Sequence, residues 1–169
     1  MRIALVTDAW EPQVNGVVRT LRTTIERLRL RGHQVDAVTP DGFSTRPCPG
    51  YPEIGLALGC GSKVTERLTR FAPEVVHIAT EGPLGWAARH WCLSRRMPFT
   101  TSFHTRFPEY LALRTGMPAR WFWPILRRFH RPASAVFVAT EALALELAAH
   151  GLSQTHLWSR GVDTTAFSP

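Results

Sequence analysis

Short apolar segments alternate with segments of helical periodicity along this 169-residue chain, and this alternation is the strongest constraint on its fold. The apolar segments predict strands at 3–7, 34–39, 54–58, 75–78, 99–103, 135–139 and 156–159. Most are uninterrupted apolar runs, which are typical of parallel strands covered on both faces. Alternating strands and helices form βαβ units, whose right-handed crossovers place helices on both faces of the sheet. The sequence therefore predicts an α/β domain with a parallel sheet.

Several helix boundaries are visible in the sequence. A helix is predicted after Asn15, because apolar residues follow at helical spacing until Gly32 ends the pattern. Pro83 suits the first turn of another helix. Thr140 can cap a third helix, since its hydroxyl can accept a backbone hydrogen bond. The segment 41–52 is rich in proline and glycine, and we predict that it is an irregular connection.

Composition narrows the classes of protein and of cofactor. No apolar run approaches the roughly 20 residues of a membrane span, and no signal-peptide pattern opens the chain, so we expect a cytoplasmic protein. Cys48, Cys60 and Cys92 have neither metal-ligand nor redox-motif spacing, so we expect free thiols, no metal ion and no bound cofactor. The net charge of +7 favours anionic partners, but no nucleic-acid-binding motif accompanies it.

The loop after the first strand is a candidate site, because open α/β sheets bind ligands at the carboxyl ends of their strands. This loop lacks the G-x-G-x-x-G pattern of dinucleotide-binding folds, which argues against a nucleotide-dependent oxidoreductase. It contains Gly16 at the start of a helix, where free N–H groups suit a phosphate or a sugar hydroxyl. The alternative is that Gly16 only permits a tight turn.

Polar residues follow other strands of the predicted sheet, and each has two interpretations. His104 could donate to a sugar hydroxyl or a leaving phosphate, or it could satisfy backbone groups of its loop. Glu81 could accept a hydrogen bond from an acceptor hydroxyl, or it could cap the following helix. Asp8 has the same ambiguity as Glu81. Nothing in the sequence pairs these carboxylates as a hydrolase would require.

The stretch 110–140 contains no acidic residue and several arginines. Helical periodicity places Arg120, Arg127 and Arg131 on one face, with Trp121 and Trp123 at its boundary. A basic amphipathic helix with interfacial tryptophans is typical of a membrane-surface helix. A surface helix with solvated arginines and an apolar face on the sheet gives the same pattern.

Four segments, in order along the chain, resemble the family-4 retaining glycosyltransferases. They are DAWEPQVNGV at 8–17, HIATEGPLG at 77–85, SFHT at 102–105 and RGVDTTAF at 160–167. The resemblance covers the whole chain. It is nearest to bacterial mannosyl- and glucosyl-transferases that act on lipid or polyprenyl acceptors.

This resemblance implies a GT-B architecture, in which two Rossmann-like domains face each other across a cleft. Residues 1–169 would then form a single N-terminal, acceptor-side domain, with the crossover to a C-terminal donor domain near 161–169. That donor domain, joined in cis or supplied in trans, carries the family's paired glutamates and is absent from this sequence. We therefore expect the chain alone to be inactive.

The resemblance also implies roles for individual residues. His104 would be the catalytic residue beside the transferred sugar, and the substrate-binding residues would be Asn15, Gly16, Glu81, Thr105, Arg106 and Asp163. The membrane-contact residues would be Arg120, Trp121, Trp123, Arg127 and Arg131.

The implied function is transfer of a hexose from a nucleotide sugar, GDP-mannose or a UDP-hexose, to a lipid or glycan acceptor. The nucleotide sugar would be a co-substrate, with no metal ion needed. The protein would be cytoplasmic, with peripheral contact to the inner face of the cell membrane. The alternative is a non-catalytic module that binds anionic lipid or glycolipid.

Overall fold

The computed structural model describes residues 1–48, 51–104, 112–113 and 115–159, and for 51–53 the backbone alone. The strands are β1 (Arg2–Val6), β2 (Gln34–Val38), β3 (Thr45–Cys48), β4 (Tyr51–Ala57), β5 (Val75–Ile78), β6 (Phe99–Phe103), β7 (Ala135–Val138) and β8 (Thr155–Leu157). The α-helices are α1 (Gly16–Leu30), α2 (Gly61–Phe71), α3 (Pro83–Ser94), α4 (Trp123–His130) and α5 (Glu141–Ala149), and a 3-10 turn spans Ala119–Trp121.

Six strands form one parallel sheet in the order β2-β1-β5-β6-β7-β8, while β3 and β4 form a separate antiparallel hairpin. Every predicted strand is present, but 54–58 belongs to the hairpin and not to the main sheet. The segment 41–52 was wrongly predicted to be irregular, because it contains β3. Pro47 lacks an N–H and argues against a strand in the sequence, yet a two-stranded ribbon has open edges that tolerate proline.

The helices cover both faces of the sheet, as predicted. Helix α1 packs on the face that carries Ile3 and Leu5, whereas α2 and α3 pack on the face that carries Ala4 and Val6. Side chains alternate along β1, so these pairs point to opposite faces. The connection from β1 to β2 runs in the opposite direction along the sheet from the later connections, and a constant right-handed crossover therefore places α1 opposite the other described helices.

Helix α2 was not predicted from the sequence. Its buried residues are only Val64 and Leu68, which is a weak apolar pattern for an 11-residue helix. The guanidinium of Arg67 binds both carboxylate oxygens of Asp36 on β2, at 2.9 and 2.7 Å. This bidentate contact fixes α2 against the sheet through charge as well as apolar packing.

The carboxylate of Asp8 joins the end of β1 to the start of α3. The backbone N–H groups of Leu84 and Gly85 donate to its two oxygens at 2.9 and 3.3 Å, and the Thr80 hydroxyl donates at 2.9 Å. Burial raises the pKa of Asp8, while these donors oppose that shift. Asp8 therefore caps α3 from a distant part of the chain, where the positive end of the helix dipole favours a carboxylate.

Two glycines allow this close approach. A Cβ atom on Gly82 would lie 2.3 Å from Cγ of Asp8, and one on Gly85 would lie 2.0 Å from the carbonyl oxygen of Thr80. Both distances are shorter than any van der Waals contact, so neither position has room for a side chain. The G-P-L-G sequence at 82–85 is thus required by the packing of α3 on the strand ends.

We predict that Gly85→Ala lowers the free energy of unfolding by about 3 kcal/mol, because the neighbour of the new methyl group is backbone and cannot rotate away. Gly61→Ala is the matched control: Gly61 also lies in a helix, but a Cβ there meets nothing within 4 Å. We expect that control to be neutral or up to ~1 kcal/mol more stable. Urea unfolding measures both changes, and equal stabilities for the two variants would contradict the packing argument.

Candidate functional site

The sheet brings Glu81 and His104 to the same edge. Ile78 on β5 pairs with Thr101 on β6, and Glu81 and His104 each follow three residues beyond this pair. Parallel neighbouring strands end on the same side, so the loops that carry these two residues lie next to each other. The sequence prediction of a polar strand-end edge is consistent with this register.

His104 lies against an aromatic residue that sequence reasoning missed. The ring centroids of His104 and Trp158 are 6.1 Å apart, and Trp158 also packs against His77 in a T-shaped arrangement with centroids 5.7 Å apart. The backbone N–H of Trp158 donates to the carbonyl of Val138 at 2.8 Å, which extends the sheet pairing past β8. Trp158 is distant from His104 in sequence, and only the strand order brings them together.

His77 is buried beneath this aromatic contact. Its Nδ1 lies 2.9 Å from the Thr100 hydroxyl and its Nε2 lies 3.0 Å from the Ser102 hydroxyl. Burial, together with the nearby His104, lowers the pKa of His77 to about 3. His77 is therefore neutral at physiological pH, with both ring nitrogens in contact with hydroxyl groups of β6.

Glu81 contacts a histidine and does not cap α3. Its Oε1 lies 3.1 Å from Nε2 of His130, which is fully buried on α4. The other ring nitrogen, Nδ1, lies 2.8 Å from the Thr101 hydroxyl. Asp8 occupies the capping position instead, so the capping interpretation of Glu81 is wrong. Sequence reasoning also missed His130, which it treated only as part of a basic stretch.

Asn15 and Gly16 form the start of α1. The side-chain oxygen of Asn15 accepts hydrogen bonds from the N–H groups of Val17 and Val18, both at 3.0 Å. Asn15 is thus the helix cap, a role that accounts for its presence without a ligand. Gly16 is exposed and borders an open groove of about 790 Å³ along the first turns of α1.

Other predicted site residues lie outside the described residues. These are Thr105, Arg106 and Asp163, together with the crossover segment 161–169. Their roles stay predictions.

The basic surface consists of exposed arginines on and around α4. Arg127, Arg128 and Arg131, with Arg89 of α3, line a groove of about 590 Å³. Arg120 lines a second groove that shares Arg127. In the part of the chain that the structure describes, no carboxylate forms an ion pair with these arginines. The positive charge of this surface is therefore not neutralised by described residues.

The structure places Trp123 differently from the sequence prediction. Trp123 is only 5% exposed and stacks on His150, with ring centroids 3.6 Å apart, so it does not reach a membrane surface. The sequence left open whether Pro124 kinks the basic helix or marks its start, and the structure shows the latter, because α4 begins at Trp123, after the 3-10 turn. That break changes which residues face outward: Trp121 and Ile125 are 59% and 56% exposed. Among the described residues, no helix has the length and apolar character needed to cross a membrane.

Comparisons with known proteins identify the family of this chain. The model of the family described as Glycosyltransferase Family 4 matches residues 14–166. The GDP-mannose-dependent alpha-mannosyltransferases of Mycobacterium tuberculosis and Mycolicibacterium smegmatis are 30% and 31% identical to this chain, over its full length. The chain spans 50% of the length of each of these relatives.

A solved structure shows the same fold. Sucrose-phosphate synthase from Thermosynechococcus elongatus superposes with a TM-score of 0.66 at 18% identity, over 99% of this chain and 50% of that protein. The predicted Rossmann-like parallel sheet, similar to one half of a GT-B fold, is confirmed by this likeness.

We predict that His77 makes stability sensitive to acid. A histidine with a folded pKa near 3 and an ordinary unfolded value of 6.5 binds a proton more readily when unfolded. The contribution of neutral His77 to the free energy of unfolding is fully present above pH 6.5. It is lost as pH falls towards 3, by up to about 1.4 kcal/mol per pH unit. Urea unfolding between pH 4 and 7 should therefore show a shallower pH dependence for His77→Gln than for wild type. Parallel curves would contradict a neutral, buried His77.

Proposed function

Because the chain belongs to Glycosyltransferase Family 4, we propose that it is the N-terminal, acceptor-side half of a retaining glycosyltransferase. The complete enzyme moves a hexose from a nucleotide sugar to a lipid or glycan acceptor. The chain spans about half the length of the relatives that it matches, and the proposed other half supplies most of the donor site, in cis or in trans. In this proposal the chain alone does not complete transfer.

We propose GDP-mannose as the first donor to test. Two relatives are GDP-mannose-dependent mannosyltransferases by name, and each aligns with the whole of this chain. A UDP-hexose is the other donor class in this proposal. Donor choice depends on residues that contact the nucleotide, and these belong to the proposed second half.

The observation that carries the proposal is the pair Glu81 and His104 at one edge of a parallel sheet in a family-4 chain. In the proposed complex, His104 hydrogen-bonds a hydroxyl of the transferred sugar, and Glu81 accepts a hydrogen bond from the acceptor hydroxyl. Gly16 lets a phosphate or hydroxyl approach the backbone N–H groups at the start of α1. Thr105, Arg106 and Asp163 also bind the substrate in this proposal.

This chemistry depends on positioning and charge stabilisation. A phosphate oxygen of the donor helps to deprotonate the acceptor hydroxyl on the face of the sugar from which the diphosphate leaves. The protein therefore needs no separate general base. A metal ion and a cofactor have no role in this mechanism. The cationic groups that hold the leaving diphosphate belong to the second half of the enzyme.

A second proposal concerns peripheral contact with the cytoplasmic face of the membrane. Leu113, Met117, Trp121 and Ile125 are exposed large hydrophobic residues that recur every fourth residue. Trp121 and Ile125 lie along the chain between Arg120 and Arg127 of the basic surface. Exposed apolar side chains beside uncompensated arginines suit an anionic lipid surface, where the headgroups meet the charge and the acyl region meets the apolar groups.

This surface also supports the alternative function, a module that binds anionic lipid or glycolipid without catalysis. A transfer assay separates the membrane-bound glycosyltransferase from the non-catalytic module. Both would bind vesicles, but only the glycosyltransferase would turn over a nucleotide sugar.

We expect His104→Ala to lower sugar transfer by at least about 100-fold in the full-length protein, because it removes a positioned hydrogen bond at the reacting sugar. The assay follows label from GDP-[14C]mannose into dioleoylglycerol or methyl α-mannoside. His90→Ala is the control, because His90 is exposed on α3. If His104→Ala turned over at the wild-type rate, His104 would not have the catalytic role assigned to it.

We expect the protein to co-sediment with vesicles of phosphatidylglycerol and phosphatidylcholine in 1:1 ratio at low salt, and not with phosphatidylcholine alone. Arg127→Glu with Arg131→Glu should weaken binding at least tenfold, at roughly 1 kcal/mol for each arginine removed from the anionic surface. Trp121→Ser with Ile125→Ser should weaken it through lost apolar contact.

Leu30→Ser is the control for the apolar variants, because Leu30 is 78% exposed at the end of α1. Unchanged binding in the arginine variant, or no binding of wild type, would rule out this surface.

A further inference from the structure

His130 is a polar side chain within the apolar face of α4. Its neighbours on that face include Leu126 and Phe129, which are 2% and 0% exposed, and His130 itself is 0% exposed. Burying a polar ring is unfavourable unless its polar atoms are hydrogen-bonded. A leucine or phenylalanine would fill this position without that requirement, so packing alone does not account for the histidine.

The donor and acceptor in each hydrogen bond of the His130 ring can be assigned. A carboxylate only accepts hydrogen bonds, so Nε2 of His130 carries the proton and donates to Oε1 of Glu81 at 3.1 Å. In the neutral ring, Nδ1 then accepts from the hydroxyl of Thr101 at 2.8 Å. The carboxylate of Glu81 therefore sets the tautomer, and the hydroxyl of Thr101 complements it.

The backbone around His130 is also fixed. The guanidinium of Arg89 on α3 donates to the carbonyl oxygens of Phe129 and Arg128. The side-chain amide of Gln154 donates to the carbonyl of His130 at 3.3 Å. Contacts from α3, from β6 and from the segment before β8 therefore hold the imidazole in one position.

Glu81 keeps one oxygen available. Its side chain is 19% exposed at the strand-end edge, and among the described residues no group donates to Oε2. A carboxylate held through one oxygen presents the other in a fixed direction, whereas a free side chain loses rotamer entropy on binding a ligand.

We propose that His130 is a positioning residue that holds the Glu81 carboxylate to receive the acceptor hydroxyl. This inference rests on the function proposed above. It gives the Thr101–His130–Glu81 chain a role in acceptor affinity and none in donor binding.

The test compares acceptor and donor kinetics of the full-length protein, with GDP-[14C]mannose as donor and dioleoylglycerol or methyl α-mannoside as acceptor. His130→Leu keeps an apolar side chain in the buried position but cannot donate to Glu81. We expect it to raise the KM of the acceptor about tenfold, the effect of losing one hydrogen bond to a charged group, with the donor KM unchanged. His130→Gln retains an N–H donor and should restore the acceptor KM to within about threefold of wild type.

A double-mutant cycle tests whether His130 acts through Glu81. Glu81→Ala, which removes the carboxylate that His130 contacts, should raise the acceptor KM by at least as much, and adding His130→Leu to it should change KM less than about twofold. Val64→Ala is the control for loss of stability alone, because Val64 is fully buried on α2. We expect it to leave the acceptor KM unchanged.

The outcomes distinguish the positioning role of His130 from the proposed glycosyltransferase function. No transfer to either acceptor by the wild-type protein overturns both. Transfer by wild type with an unchanged acceptor KM in His130→Leu, or additive effects in the cycle, overturns the role of His130 and leaves the proposed function standing.

Discussion

The buried carboxylate of Asp8 is the interaction on which the strand-end edge of this protein depends. A carboxylate is costly to remove from water, and here the N–H groups at the start of α3 and the Thr80 hydroxyl offset that cost. The contact requires glycine at 82 and 85, because a Cβ at either position would overlap neighbouring atoms. It fixes the loop between β5 and α3, and therefore the backbone from which Glu81 extends.

The two residues assigned to the site are supported from opposite faces of the sheet. His104 lies with Trp158 and His77 on the face covered by α1. Glu81 is held by His130 of α4, which packs on the other face. This division follows from the strand order, since right-handed crossovers in opposite directions place α1 apart from the other described helices. The surroundings of His104 and of Glu81 are therefore set by different packing layers.

Sequence reasoning succeeded where the signal is local. Continuous apolar runs identified the strands, and Thr140 caps α5 as predicted, with the Leu143 N–H donating to its hydroxyl at 3.3 Å. It failed where a partner distant in sequence decides the structure. Helix α2 is fixed by Asp36, β3 is fixed by pairing with β4, and Trp123 is buried against His150. None of these contacts leaves a periodic pattern in its own segment.

The sequence by itself determined the α/β class, the positions of the strands in the main sheet and the motifs that place the chain in its family, because each depends on residue types within a short window. Only the tertiary structure decided that Asp8 caps α3, that His130 contacts Glu81 and that Trp158 lies beside His104. Asp8 and Leu84 are 76 positions apart in the sequence, and Glu81 and His130 are 49 positions apart. Side chains so far apart meet only once strand order and crossover handedness are set, and no local propensity encodes that geometry.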